Sequence, residues 1–260
     1  MTNGIIPISK RKVKFDVVAN QHTSTVWNLI NNNGWEECTF NIMDRFLNEN
    51  HSYLDIGAWI GPTVLYGANL AKHGYAIEPD PVAFGELHKN LTLNPQISSK
   101  ITPINAALSE KTGTTNLYIR SAYGDSTPSL IPTLSDHSCT VNCITIQDII
   151  HTHNIKDLNF IKIDVEGSEY SLIPSMKQFL ELEQPTLYLS IHPPFLKENL
   201  RRKYTSDDEF SYHYNKINRN LIDSLQMYKY LYDAHGNLVN EDTLLNEVHF
   251  REFLFTNELW

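Results

Sequence analysis

Cysteine is scarce in this chain, at three residues in 260. Cys38, Cys139 and Cys143 are an odd number without the paired spacing of a disulfide framework, so free thiols in a reducing compartment are expected. The lone C-x-x-x-C of Cys139 and Cys143 offers too few ligands for zinc, and both are expected to pack as small hydrophobes in an edge strand. Basic residues are also in deficit: 21 Lys and Arg stand against 30 Asp and Glu, a formal charge of −9. A protein whose main partner is nucleic acid needs the opposite balance, because its affinity comes from cations set against phosphates; nucleic acid is not expected as a partner. No apolar run is long enough to span a membrane, and Met1 to Lys14 has neither the apolar core nor the cleavage site of a secretory leader. A cytoplasmic location is expected, and the match of Asn90-Leu91-Thr92 to a glycosylation acceptor then carries no weight. Internal repeats and low-complexity tracts are lacking too. With 41% hydrophobic and 20% charged residues the chain reads as globular. Its length suits a single α/β domain with insertions better than two independent domains.

Residues 1–50 read as an N-terminal extension or cap, ending in an amphipathic helix that Thr39 would cap ahead of Phe40, Ile42, Met43, Phe46 and Leu47. From Tyr53 short apolar strands alternate with helical stretches, the pattern of a parallel sheet with crossover helices. Strands are expected at 53–56, 75–78, 101–107, 159–164 and 185–191. Pro62 would open a helix running to about Lys72, and Pro79-Asp80-Pro81 one running to Leu93. Residues 114–146 break the alternation and read as an inserted hairpin with a long polar loop, Ser121 to Ser138. Residues 53–192 would form the cofactor-binding core. Residues 193–260 would shape the acceptor site and close the sheet with a hairpin of 228–232 and 250–255 about His235-Gly236-Asn237. Within that last part, Lys197 to Glu209 reads as a solvated charged segment.

The sharpest chemical signal is Leu54-Asp55-Ile56-Gly57-Ala58-Trp59-Ile60-Gly61 at a strand-to-helix turn, with Glu78 at the end of the next strand. Glycine in such a turn lets backbone approach a ligand, and an acid about 20 residues on can accept both hydroxyls of a ribose. The spacing is G-x-x-x-G rather than G-x-G-x-x-G, and Asp55 precedes the first glycine by two residues. A carboxylate there repels a pyrophosphate and attracts an ammonium or sulfonium, which S-adenosylmethionine carries together with its ribose. The alternatives are a nicotinamide-dependent oxidoreductase on the same core, which Asp55 and the glycine spacing oppose, and a cofactor-binding module without turnover.

A second constellation is Phe160-Ile161-Lys162-Ile163-Asp164-Val165-Glu166-Gly167-Ser168-Glu169. Asp164 would lie at the carboxyl end of a core strand, where open α/β sheets bind ligands. Three carboxylates so close need a cation, a base role or solvent between them; helix capping is the plainer account of Glu166 and Glu169. His192 would end the adjacent strand. It could act as general base toward a hydroxyl, or could join Asp164 in holding magnesium or manganese. His249 would reach the site only if the last hairpin folds over it. Arg201, Arg202 and Lys203 could meet a nucleotide-sugar diphosphate but read first as a solvated helix face.

Taken together, LDIGAWIG, AIEPDP with its following helix, INAALSEKTG, TIQDII and FIKIDVEGSEYSLI resemble the FkbM family of S-adenosylmethionine-dependent methyltransferases, over roughly Glu36 to His192. The resemblance implies a Rossmann-like class I methyltransferase fold: a mostly parallel seven-stranded sheet whose C-terminal hairpin adds an antiparallel strand. It implies that Asp55, Gly57, Ala58 and Gly61 contact the methionine part of the cofactor and that Glu78 holds the ribose. Pro79, Asp80, Asn105, Ala106 and Ala107 would border ribose and adenine, and Asp164 would face the methyl group and its acceptor. One departure stands in Ser190-Ile191-His192, where the family pattern leads one to expect an acid before the histidine. The implied activity is O-methylation of a carbohydrate hydroxyl, on a sugar or a nucleotide-activated sugar destined for a surface or capsule polysaccharide. Self-association into a homo-oligomer is open on the sequence.

Overall fold

The computed structural model describes residues 4–133 and 135–260. Alternating apolar residues at Val13, Phe15, Val17 and Ala19 bury one face of β2 (Val13–Ala19), which pairs antiparallel with β1 (Gly4–Lys10). Two short helices follow, α1 (Ser24–Asn31) and α2 (Glu37–Phe46). Thr39 does not cap α2: Glu36, in the left-handed region at φ 41°, is the N-cap. The helix begins earlier than expected, and the Thr39 hydroxyl is spent inside it, bonding the Glu36 carboxyl and the Tyr188 hydroxyl.

The central unit comprises β3 (Ser52–Ile56), α3 (Pro62–Gly67), β4 (His73–Ile77), α4 (Pro81–Leu93), α5 (Pro95–Ser98) and β5 (Ile101–Ile104). Pro62 and Pro81 each open a helix, where the missing N–H costs nothing. The helix α3 stops well short of Lys72. The third strand is also shorter than expected. The chain turns at Asn105, and β6 (Ala107–Leu108) leaves the main sheet to pair with β8 (Ser138–Ile144), which pairs antiparallel with β7 (Gly113–Tyr118). The inserted hairpin thus forms its own sheet in the order β6-β8-β7. Cys139 and Cys143 lie on its central strand rather than on an edge.

The chain returns through α6 (Ile146–Thr152), β9 (Leu158–Ile163), α7 (Glu169–Glu183) and β10 (Thr186–Ile191). It ends with α8 (Pro193–Lys203), α9 (Asp207–Asp223), β11 (Tyr230–Asp233), α10 (Glu241–Leu245) and β12 (Arg251–Thr256). The charged run forms the end of α8 and the start of α9, and Arg201, Arg202, Lys203, Asp207, Asp208 and Glu209 are exposed on it, as expected of a solvated segment. Both are amphipathic helices, with Leu196, Leu200, Leu221 and Ile222 buried against the sheet. The hairpin connection holds a helix as well as a turn, and His249 is exposed.

The main sheet runs β11-β12-β10-β9-β3-β4-β5, with only β12 antiparallel to its neighbours. Because strand residues alternate between faces, Tyr53, Phe160 and Tyr188 pack on one side while Leu54, Ile161 and Leu187 pack on the other. The N-terminal hairpin is part of the first layer. Asn90 and Asn94 of α4 are buried, and their amides bond the β2 backbone at Val18 and Asp16. Asn90 of the glycosylation match is therefore a packing residue. The chain leaves β3 toward β4 and β5, then crosses back to β9 on the other side of β3. Ligands of such sheets bind at this reversal, beyond the carboxyl ends of the strands.

Candidate active site

A cavity of about 190 Å³, open to solvent, lies at that reversal. Its floor is the turn after β3. The N–H groups of Gly57 and Ala58 both donate to the Ile77 carbonyl at 3.0 Å, and the Asp164 N–H donates to Ile56 at 2.9 Å, so three strand ends are tied together. Gly57 has φ 84°, and a Cβ there would stand 1.8 Å from the Asp164 carbonyl oxygen. Only glycine lets these two strand ends meet.

Glu78 stands on the cavity wall only 7% exposed. Its oxygens accept one backbone bond each, from Trp59 N–H and Asp80 N–H, both at 2.8 Å. Burial pushes its carboxyl up to about 7 against those two donors. Asp80 is turned away from the cavity: one oxygen caps α4 at Val82 (2.7 Å) and the other accepts the Gly124 N–H (2.7 Å). Asn105 and Ala106 do not line the cavity either. Asn105 instead donates to the carbonyls of Glu78 and Pro79, which holds that turn in place. Pro79, Ala58 and Ala107 do line it. Gly61 lies beneath, at φ 94°, against Leu87.

The long loop of the inserted hairpin crosses the cavity as a strap. The Trp59 indole donates to the Gly124 carbonyl at 2.9 Å, and Asp125, Ser126, Pro128 and Leu130 complete the wall. At its other end the strap is held by Ser168 Oγ, which accepts the Leu130 N–H at 3.1 Å, and by Asn199 and Arg202 of α8.

Asp55 is fully buried behind the wall, where it accepts a 2.6 Å bond from Thr63 Oγ1. What faces the cavity in its place is Thr63 and Lys162. Parallel register sets Asp55 beside Lys162, and two residues on, Asp164 shares the same side of β9. The Lys162 ammonium lies 3.7 Å from Asp55 and 3.3 Å from Asp164. Burial works to depress the Lys162 charge, but Asp164, Asp55 and Glu36 outweigh it and raise its pKa. Lys162 is a site residue that the sequence reading missed. Its signal is a lone lysine inside the otherwise apolar Phe160-Ile161-Lys162-Ile163, in a strand buried on both faces.

Behind the Asp164–Glu166 end of the cavity, and not on its lining, the buried His192 is enclosed by carboxylates. Its Nε2 lies 3.5 Å from Asp164 and 3.3 Å from Glu166, and its Nδ1 3.4 Å from Glu169. Glu169 also accepts the N–H groups of His192 (2.7 Å) and Gly167 (2.8 Å), which pins the end of β10 to the start of α7. Burial alone would lower the imidazole pKa, but Glu169, Glu166 and Asp164 raise it to about 10. The surrounding carboxylates thus favour the protonated imidazole. Burial also acts to raise the Asp164 pKa, but Lys162, His192 and Ser190 prevail and lower it, keeping Asp164 ionised. Glu166, at φ 52°, is pushed up to about 8, first by burial. Asp164, Glu166 and His192 each offer one ligand atom within 4.8 Å of the others.

Seven strands in this order with one antiparallel member, and a glycine turn and ribose-spaced acid at the reversal, define a class I methyltransferase. The Methyltransferase FkbM domain matches residues 55–231, and the chain belongs to that family. This membership decides against the nicotinamide alternative. No curated protein matches the chain. Among solved structures, FkbM of Methylobacillus flagellatus is 19% identical with a TM-score of 0.41, over 66% of this chain and 44% of that one. The chain thus spans under half the length of that protein. A Streptococcus mutans methyltransferase in complex with SAH is 12% identical over 84% of this chain and 96% of that one, with a TM-score of 0.47. Trm5 of Methanocaldococcus jannaschii in complex with adenosine is 13% identical over 99% of this chain and 57% of that one, with a TM-score of 0.45. Among the described residues no helix is long and apolar enough to cross a membrane.

Proposed function

We propose that this protein transfers the methyl group of S-adenosylmethionine to a hydroxyl of a carbohydrate. The observation that carries the cofactor part is Glu78, a buried carboxylate on the cavity wall whose oxygens keep lone pairs free beyond the two backbone bonds they accept. Two ribose hydroxyls would complete its hydrogen bonding. The turn at Gly57 and Ala58 would border the amino-acid part, while Pro79, Ala107 and the strap residues Asp125 and Ser126 would enclose the base. Asp55 would act from behind, through Thr63 and Lys162. When bound, the cofactor supplies a methyl group activated by a sulfonium leaving group. The chain's own residues would then position a hydroxyl and take its proton. Asp164, half-buried and ionised at the cavity's far end, is the proposed acceptor of that proton; His192 would hold it in place through Nε2.

The ligand cluster favours a second reading of the same end, in which Asp164 and His192, with Glu166, hold magnesium or manganese. An ion there would lower the pKa of the acceptor hydroxyl, and His192 would then be neutral. Chelation followed by readdition of either ion separates the two: loss and recovery of methyl transfer supports the metal, full activity in chelator supports Asp164 alone. The cofactor assignment is tested by calorimetric titration with S-adenosylhomocysteine. No binding to the wild type, or undiminished binding to Glu78→Ala, overturns it. Mass spectrometry of a sugar panel incubated with labelled methyl donor tests the acceptor class, and a cofactor that binds without any acceptor being methylated supports the module without turnover.

A further inference from the structure

The adjacent acids Glu36 and Glu37 stand at the start of α2 and are spent differently. Glu37 pairs with the buried Lys10 and with Arg11, so it belongs to the packing of α2 on the N-terminal hairpin. Glu36, with its backbone in the left-handed region, lines the cavity. Its Oε2 accepts the Thr39 hydroxyl at 3.1 Å, and Thr39 Oγ1 lies 3.0 Å from the Tyr188 hydroxyl of β10, so the carboxyl is held from one side. Among the described residues its Oε1 accepts no hydrogen bond. Desolvation and the nearby Asp164 push this carboxyl up to about 7, while Lys162 acts to lower it. Other acids of the lining have partners already. The Asp125 oxygens are filled by Ser121, Ala122 and Thr127. Asp164 meets Lys162 and His192, and Glu166 faces His192.

Position in the sheet decides which part of a nucleoside ligand Glu36 would meet. Glu78 follows β4, and Ala107 lies beyond β5, on one side of the cavity. Lys162 and Asp164 belong to β9 and its end, across β3 from β4, and Thr39 ties Glu36 to β10 on the same side. A ribose at Glu78 with its base toward Ala107 therefore sends its 5′ substituent the other way, over Gly57 and toward Glu36. In S-adenosylmethionine that substituent ends in an α-ammonium, which calls for an ionised acceptor.

Granted the methyltransferase reading of this cavity, we infer that Glu36 holds the α-ammonium of the cofactor through its free Oε1. Glu36 precedes residues 55–231 of the matched domain, so the N-terminal cap completes the cofactor site rather than only covering it.

Calorimetric titration of the full chain tests this with S-adenosylhomocysteine, its analogue without the α-amino group, and 5′-methylthioadenosine, which lacks the whole amino-acid part. The wild type is expected to bind S-adenosylhomocysteine about tenfold or more tightly than the deaminated analogue, the scale of one hydrogen bond to a charged group. Glu36→Gln removes the charge and can keep the Thr39 bond. It should weaken S-adenosylhomocysteine about tenfold while the deaminated analogue and methylthioadenosine stay within about twofold, which is the coupling of one residue to one ligand group. Glu36→Ala, checked for an unchanged melting profile, should show the same selective loss. Equal binding of S-adenosylhomocysteine and the deaminated analogue by the wild type overturns the inference, whether or not a variant folds. So does a Glu36→Gln protein that weakens all three ligands alike, or none. A wild type that binds none of the three defeats the methyltransferase reading itself, whereas one that binds methylthioadenosine and shows no preference for the amino group defeats only the role of Glu36.

Discussion

The two ends of the cavity are built on different principles. At the Gly57–Glu78 end, backbone does most of the work: glycine at positive φ, N–H groups sharing the Ile77 carbonyl, and a carboxylate with one backbone donor on each oxygen. At the Asp164–His192 end, side-chain charges dominate, with Lys162 and His192 set among Asp55, Asp164, Glu166 and Glu169. A backbone cradle tolerates few shapes, which suits a ligand common to a whole family. A charge cluster can be retuned by single substitutions.

This contrast can be broken most forcefully through the charge cluster. Lys162→Met leaves Asp55 and Asp164 without their buried cation, and a loss of about 3–5 kcal/mol is expected in urea unfolding. Unchanged stability would show that the two carboxylates do not depend on it. In the backbone cradle, Gly57→Ala meets both a disfavoured φ and the Asp164 carbonyl. It should cost about 3 kcal/mol or more and abolish binding of S-adenosylhomocysteine, the latter checked by calorimetry. Glu78→Ala should preserve the fold and weaken that binding by about 100-fold, the worth of two hydrogen bonds to a charged group.

The same carboxylate supplies a pH test. Glu78 titrates near 7 in the fold against 4.5 for a free glutamate, so the stability it contributes is fully present below pH 4.5 and is lost as pH rises through 7. Ribose hydroxyls donate to the ionised form, so binding should tighten from about pH 6 to 8, and Glu78→Gln should flatten that profile. The smallest effect is expected at the strap. Trp59→Phe removes the indole bond to Gly124 and should lower stability by about 1 kcal/mol, read from the melting temperature.

Much of the Gly57–Glu78 end is legible in the sequence, because its determinants are local. Gly57 and Gly61 mark a strand-to-helix turn, Pro62 and Pro81 open helices, and Glu78 follows its strand at ribose spacing. Even there, register and side-chain direction are not readable from residue order. Asp55 points into the protein, Asp80 caps α4 and holds Gly124, and Asn105 braces a turn. The buried stripe of α8 is harder to read than its solvated face, because polarity hides the few apolar positions such as Leu196 and Leu200.

By itself the sequence determined the alternation of strand and helix, the glycine turn and the presence of acids at the strand ends, because these depend on period and on residues adjacent in the chain. The tertiary structure alone decided which charges meet. Asp55 and Lys162 are neighbours only because β3 and β9 lie in parallel register, and His192 is surrounded by acids only because β10 ends beside β9 and α7. The direction in which the His192 pKa is moved follows from those distances. Charge interactions depend on separation in space and on burial, and a linear sequence specifies neither.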